Sequence, residues 1–217
     1  MTKSYFIIGT DTHVGKTYIA SALVKQFAAS GLKSIGMKPV ASGCQYHKNG
    51  VLMNEDVAAL MHVSNVSASL DMINPYRFAA AIAPHIAAEQ AGVSISLQVI
   101  ADAYQALDGI ADVVIVEGAG GLLVPLNASQ TLADLAVLID IPLILVVGMR
   151  LGCINHALLT VELIKARGLK LAGWVANQID PHMSMFEENL ASLQKRIAAP
   201  CLSVVRWQTQ AHFSLGA

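Results

Sequence analysis

Gly15, Lys16 and Thr17 are the residues best suited to chemistry on an anion. They close a loop, Gly9-Thr10-Asp11-Thr12-His13-Val14-Gly15-Lys16-Thr17, that separates an apolar run from a helical pattern. Backbone N–H groups at a helix start carry partial positive charge and converge on phosphate oxygens. Gly15 lets the backbone approach without a Cβ in the way. Lys16 offers an ammonium to β- and γ-phosphates, and the Thr17 hydroxyl is the ligand type that Mg²⁺ takes in such loops. One irregularity stands out: Gly9 lies one residue further from Gly15 than the common spacing, with Thr10 in its stead. An ordinary helix-start turn is the competing reading.

A phosphate loop acting on a nucleoside triphosphate needs a carboxylate near the metal. Glu117 ends an apolar run and precedes Gly118-Ala119-Gly120-Gly121, read here as a flexible glycine turn. A strand-end carboxylate suits a metal ligand or a water-positioning group; a solvated loop glutamate is the alternative. Asp56, in Asn54-Glu55-Asp56, opens a helical stretch, so N-terminal capping competes with metal binding for its carboxylate. Lys38, in Gly36-Met37-Lys38-Pro39-Val40, ends another strand-like run, and Ser42 and Gly43 continue its loop. Beside a phosphate loop, Lys38 is a second cation for a phosphorylated intermediate; alone it reads as a surface lysine.

These side chains need a frame that brings strand ends together. Strand-like runs at 5–9, 34–39, 112–117, 142–148, 171–177 and 201–205 alternate with helical patterns at 16–30, 97–108, 132–139 and 155–167. Val113–Val116 and Ile144–Val147 are apolar on both faces, the pattern of interior parallel strands covered by helices. Gly31 and Gly168 follow helical runs and fit left-handed helix ends. The expected fold is α/β: a doubly wound, mostly parallel sheet flanked by helices, of the P-loop NTPase type, in one domain over residues 1–217. The 41–69 segment reads as a loop plus a short helix.

Composition removes other classes. A net charge of −1 with no Lys/Arg cluster argues against a nucleic-acid partner. Mean hydropathy is +0.53, yet the densest apolar run, 141–149, is far short of the roughly 20 residues a spanning helix needs. Residues 6–8 are too brief a run for a signal peptide. Cys44, Cys153 and Cys201 are odd in number and widely spaced, so no disulfide scaffold is expected and a reducing cytoplasm is the simplest setting.

Several stretches together resemble the dethiobiotin synthetase family. They are Gly9-Thr10-Asp11-Thr12-x-Val14-Gly15-Lys16-Thr17, Lys38-Pro39-Val40-Ala41-Ser42-Gly43, Asn74-Pro75-Tyr76, Ala83-Pro84-His85 and Val116-Glu117-Gly118-Ala119-Gly120-Gly121. Leu151-Gly152-Cys153-Ile154-Asn155-His156-Ala157 and Ala172-Gly173-Trp174-Val175-Ala176-Asn177 complete the set. The resemblance implies joining of CO₂ to 7,8-diaminononanoate with MgATP and closure of a cyclic urea. One amine takes up CO₂ as a carbamate, the carbamate attacks the γ-phosphoryl group, and the second amine displaces phosphate from the mixed anhydride. It also implies roles by position. Lys16 and Lys38 neutralise phosphoryl and carbamate charge, and Thr17, Asp56 and Glu117 hold Mg²⁺. Thr12 and Ser42 line the substrate site. His13, Val14, Gly15, Gly118, Ala119 and Gly120 line the nucleotide site, and Asn177 reads the adenine edge beside Gln178. Leu151, Gly152, Cys153 and Asn155 reach across a homodimer to the substrate tail, with Cys153 a packed residue rather than a nucleophile.

Two departures qualify the match. His13 stands where the family often has glutamate, which changes the loop's charge by about one unit. Val205-Arg206-Trp207 stands where an Ile-Pro-Trp-like stretch helps form the nucleotide pocket. Arg206 in place of proline is expected to loosen that loop and to offer its charge to a phosphate or a different base. The rivals are a dimeric regulatory ATPase of the partitioning or cell-division type and a cobyrinic acid amidating enzyme. The first needs a second loop lysine where Asp11 stands and a membrane-binding C-terminal helix; the second needs a further domain.

Overall fold

The computed structural model describes residues 4–47 and 50–213. The expected domain span of 1–217 and the 41–69 segment both include residues outside these. The order begins β1 (Tyr5–Gly9), α1 (Lys16–Ala29), β2 (Ser34–Met37), β3 (Val40–Ala41), β4 (Gln45–Tyr46) and β5 (Leu52–Met53). It continues α2 (Glu55–Val63), α3 (Leu70–Ile73), β6 (Tyr76–Arg77), α4 (Pro84–Gln90), α5 (Leu97–Asp108) and β7 (Val113–Gly121). Then come α6 (Leu132–Ile139), β8 (Leu143–Met149), α7 (Cys153–Ala166), β9 (Leu171–Gln178), α8 (Phe186–Arg196) and β10 (Cys201–Val205).

Six strands form one sheet in the order β10-β9-β8-β1-β7-β2, and every pairing in it is parallel. The strand order reverses at β1, which has β7 on one side and β8 on the other. A crevice therefore opens at the carboxyl end of β1, where the 10–15 loop emerges.

Side chains alternate across the sheet and both faces are covered. Phe6, Ile8, Val114, Val116, Leu145 and Val147 pack with Leu107, Leu135 and Val161 of α5, α6 and α7. Ile7, Ile115, Ile144 and Val146 pack with Ile19, Leu23 and Phe27 of α1. Each such side chain contributes about 1.5–3 kcal/mol by leaving water. Double burial is why these strands read as unbroken apolar runs rather than as an alternation.

Gly31 and Gly168 end their helices at φ 87° and 67°, as expected. Other boundaries moved for physical reasons. The strand expected over 34–39 stops at Met37, and the Lys38 N–H leaves the sheet to donate to the Ile73 carbonyl at 2.9 Å. The expected glycine turn after Glu117 is strand: β7 runs on to Gly121, and a Cβ on Gly118 would meet Leu132 Cδ2 at 2.7 Å. Those glycines permit close packing of a continuing strand rather than flexibility. The helix expected at 155 starts at Cys153, after Gly152 at φ 92°.

The 41–69 segment holds α2 as its short helix, together with the antiparallel β4–β5 hairpin, which the sequence reading missed. Also missed were α3, α4 and the two-residue β3–β6 ladder, all too short to show a clear period, and α8, whose Phe186, Leu190 and Leu193 do recur at helical spacing within a polar stretch. Among the described residues no helix is long and apolar enough to cross a membrane.

Candidate active site

The phosphate loop is anchored to the sheet at its start and turned within by a local bond. Thr10 N–H donates to Val146 O of β8 at 3.0 Å, and Thr12 N–H donates to Asp11 Oδ1 at 2.7 Å. Val14 is buried between Gly9 and Gly148, where an added Cβ would come within 2.8 and 2.7 Å of its methyl groups. This accounts for the irregular spacing: Gly9 serves as the floor under Val14. Asn177 Nδ2 donates to the Val14 carbonyl at 2.8 Å, tying β9 to the loop. Gly15 sits at φ 90°, and a Cβ there would collide with Asn177 Nδ2. Lys16 folds back so that Nζ donates to Asp11 O at 2.8 Å. His13 is exposed, at φ 58°, on the rim of the crevice.

Lys38 is the charged centre of the crevice. It is 5% exposed, and Nζ donates to Glu117 Oε1 at 2.5 Å and Asp56 Oδ2 at 2.9 Å, with Gly118 O at 3.4 Å. Glu117 is 1% exposed, and its Oε1 also accepts from Thr17 Oγ1 at 2.8 Å. Its second oxygen, Oε2, is buried with no hydrogen-bond partner among the described residues.

The capping alternative for Asp56 is set aside because Asn54 does that work: its Oδ1 accepts from Asp56 N–H at 2.9 Å while its Nδ2 donates to Ser42 O at 3.0 Å. Asp56 is delivered to Lys38 because α2 lies tight on β2. A Cβ on Gly36 would meet Leu60 Cδ2 at 2.7 Å, so glycine is needed there.

The charges perturb one another strongly. Burial, reinforced by the charge of Lys38, lowers the Lys16 pKa to about 8. Burial also pulls on Lys38, but Glu117 and Asp56 outweigh it and raise the ammonium above the usual lysine range. Asp56 is likewise opposed by burial, yet Lys38 holds its carboxyl below the ordinary value.

A crevice of about 1140 Å³ unites Thr12, His13, Gly15, Lys16, Thr17, Lys38, Ser42, Asp56, Glu117, Ala119 and Gly120. The Ser42 hydroxyl is buried there without a partner among the described residues. A second cavity of about 350 Å³ gathers Asn177, Gln178, Val205, Arg206 and Trp207. The sequence reading missed Tyr18 and Thr209 on its wall, where Tyr18 Oη donates to Thr209 O at 2.8 Å. Adjacency of Tyr18 to Thr17 was the only available signal. It also missed the Arg150–Asp11 ion pair of 2.6 Å, which no single sequence reveals.

One expectation changes. Arg206 is not a loose positive charge: it pairs with Glu187 and lies 3.9 Å over the Phe186 ring, and Thr209 N–H closes a turn onto its carbonyl. Leu151, Gly152, Cys153 and Asn155 line neither cavity of their own chain. Leu151 is 94% exposed, whereas Cys153 is buried and its thiol is pushed up chiefly by burial.

A parallel sheet whose strand order reverses beside a Gly-Lys-Thr loop, with the Glu117 carboxylate from within β7 and the lysine just after β2 facing that loop, defines a P-loop nucleoside triphosphatase fold. A family model described as an AAA domain matches residues 3–213. The septum site-determining protein MinD of Pyrococcus horikoshii shares the architecture at TM-score 0.57 and 16% identity, over 95% of this chain and 82% of that one. The ParA family ATPase of Chlorobium tepidum does so at 0.55 and 15%, over 96% and 86%. At such identity these show the fold alone.

Sequence relatives are far nearer. The ATP-dependent dethiobiotin synthetase BioD of Nitrosospira multiformis is 51% identical over 205 residues, 94% of this chain and 88% of the relative. That of Cellvibrio japonicus is 52% identical over 203 residues, 94% and 89%. That of Pseudomonas aeruginosa is 49% identical over 203 residues, 93% and 89%. The chain belongs to the dethiobiotin synthetase family.

Proposed function

We infer that this chain is an ATP-dependent ligase that joins CO₂ to 7,8-diaminononanoate and closes the ring of dethiobiotin, releasing ADP and phosphate. The family supports the activity. The observation that carries the residue roles is the buried Lys38 ammonium, held between Glu117 and Asp56 beside Thr17 of the phosphate loop.

Phosphoryl transfer involves little covalent work by the protein, so preorganised charge carries it. Loop N–H groups and Lys16 hold the β- and γ-phosphates. Lys38 neutralises the carbamate oxygen as it attacks and the anhydride that results. Its raised pKa keeps it charged throughout the neutral range. Thr12 and Ser42 orient the diamine, and the Ser42 hydroxyl, without a partner among the described residues, accepts an amine N–H. The second amine then expels phosphate. At the far end, Asn177, Gln178, Val205, Arg206 and Trp207 hold the base: the Asn177 Nδ2 is engaged with the loop, leaving its Oδ1 to accept from an exocyclic amine.

Mg²⁺ fits Thr17, Asp56 and Glu117, because the buried Glu117 Oε2 has no other donor among the described residues and both carboxylates face the loop hydroxyl. When bound, the ion supplies neutralisation of the terminal phosphate oxygens. We further read the chain as one domain over 1–217, acting in the cytoplasm on small molecules and binding no nucleic acid. It forms a homodimer, with the segment that carries the exposed Leu151, Gly152 and Asn155 reaching the partner's substrate.

The test is phosphate release from MgATP with bicarbonate, with and without the diamine. Release only when the diamine is present is the expected result. Diamine-independent release would point to a regulatory ATPase instead.

A further inference from the structure

Lys38 has left the sheet, so its backbone needs partners that no neighbouring strand supplies. Its N–H donates to Ile73 O at 2.9 Å. Its carbonyl accepts from Asn74 Nδ2 at 2.6 Å, and the same nitrogen donates to Tyr76 O at 3.1 Å. Asn74 is 0% exposed, and its own peptide is fixed by Asn74 N–H to Leu70 O at 2.7 Å and by Arg77 Nη1 to Asn74 O at 2.7 Å. Turning the amide over would set Oδ1 against two carbonyl oxygens, so chemistry determines its orientation. Oδ1 is left buried without a partner among the described residues, a standing cost that accompanies the two donated bonds.

We propose that Asn74 is a positioning residue for the phosphoryl-transfer step: through the Lys38 carbonyl it sets where the Lys38 ammonium lies between Glu117 and Asp56. The proposal rests on the reading of Lys38 as a cation in that step. Pro39 has no N–H and restricts the residue before it to extended backbone. The Lys38-Pro39 turn therefore makes no donor bond of its own at Pro39, and Asn74 fastens it from outside. The parallel β3–β6 ladder, Val40 opposite Tyr76, begins just beyond this clamp, and Tyr76 N–H donates to Pro39 O at 3.1 Å. Lys38 is thus aimed by a segment distant in sequence, and the Asn74-Pro75-Tyr76 stretch acquires a role.

The test is a double-mutant cycle on the full chain, in steady-state assays with MgATP, bicarbonate and 7,8-diaminononanoate. Asn74→Ala lowers kcat on the order of ten- to a hundred-fold, the scale for misplacing a catalytic group by about 1 Å. The KM for ATP stays within about twofold, because the phosphate loop is untouched. In a Lys38→Leu background the same change costs nothing more, since a clamp without its lysine has nothing to aim. Should Asn74→Ala fail to fold, Asn74→Asp, of equal size but turning the donor into an acceptor, runs the same cycle. A wild-type kcat in a folded Asn74 variant, or losses that multiply in the double variant, would overturn the proposal. Full turnover in Lys38→Leu alone would instead overturn the reading of Lys38 beneath it.

Discussion

The two cavities differ in how they hold charge. In the larger one Lys16, Lys38, Asp56 and Glu117 lie within reach of one another, and three of the four are nearly buried. Lys38 is paired with both Glu117 and Asp56, so removing it leaves two carboxylates uncompensated in a poor solvent for ions. In the smaller cavity Arg206 and its partner Glu187 beside it are exposed, Trp207 is 47% exposed, and the remaining walls are amide, phenol, hydroxyl and aliphatic groups. Exposed pairs contribute about 0–1 kcal/mol. Chemistry and stability therefore share the same residues at the phosphate end, whereas the base end is tunable at small cost.

Three substitutions test that contrast, in falling order of effect. Lys38→Leu strands Glu117 and Asp56: turnover falls at least a hundred-fold, ATP affinity changes much less, and the fold loses about 3 kcal/mol, read by denaturant melts. Unchanged turnover with normal stability would erase the contrast.

Lys16→Gln weakens ATP binding roughly ten- to a hundred-fold by titration and also removes a pH dependence. The folded Lys16 pKa is about 8 and its ordinary value is 10.5. The nucleotide-free protein thus carries a buried charge at a cost below pH 8, and that cost is relieved as pH rises toward 10.5. Relative to Lys16→Gln, wild-type stability climbs across that window by at most about 3 kcal/mol, while ATP affinity falls above pH 8 as the ammonium is lost. A flat difference between the two proteins from pH 8 to 10.5 would refute this.

Arg206→Pro gives the Ile-Pro-Trp-like form that the resemblance implies and releases Glu187. The KM for ATP shifts about two- to fivefold and kcat stays level. A large kcat loss would show that the base end reaches the chemistry after all.

Much of this was legible in sequence for stated reasons. Strand periods are short and local, so β1 and β10 fell where the apolar runs predicted. The Gly15-Lys16-Thr17 loop is contiguous, and contiguous chemistry can be read directly. The glycines after Glu117 could not be, because a glycine that loosens a turn and one that admits Leu132 against a strand look alike in a linear chain. Arg206 was misread for a similar reason: its neutralising partner, Glu187, lies on another element.

By itself the amino-acid sequence determined the alternation of strands and helices, the phosphate-binding loop and the identities of the candidate ions, since propensity and hydrophobic period act over a few neighbouring residues. Only the tertiary structure decided which of those ions meet. Lys38 reaches Glu117 and Asp56 across separations of 79 and 18 residues because parallel crossovers bring strand ends to one edge, and Asn74 reaches Lys38 across 36. Those encounters depend on three-dimensional closure of the chain, which no local pattern encodes.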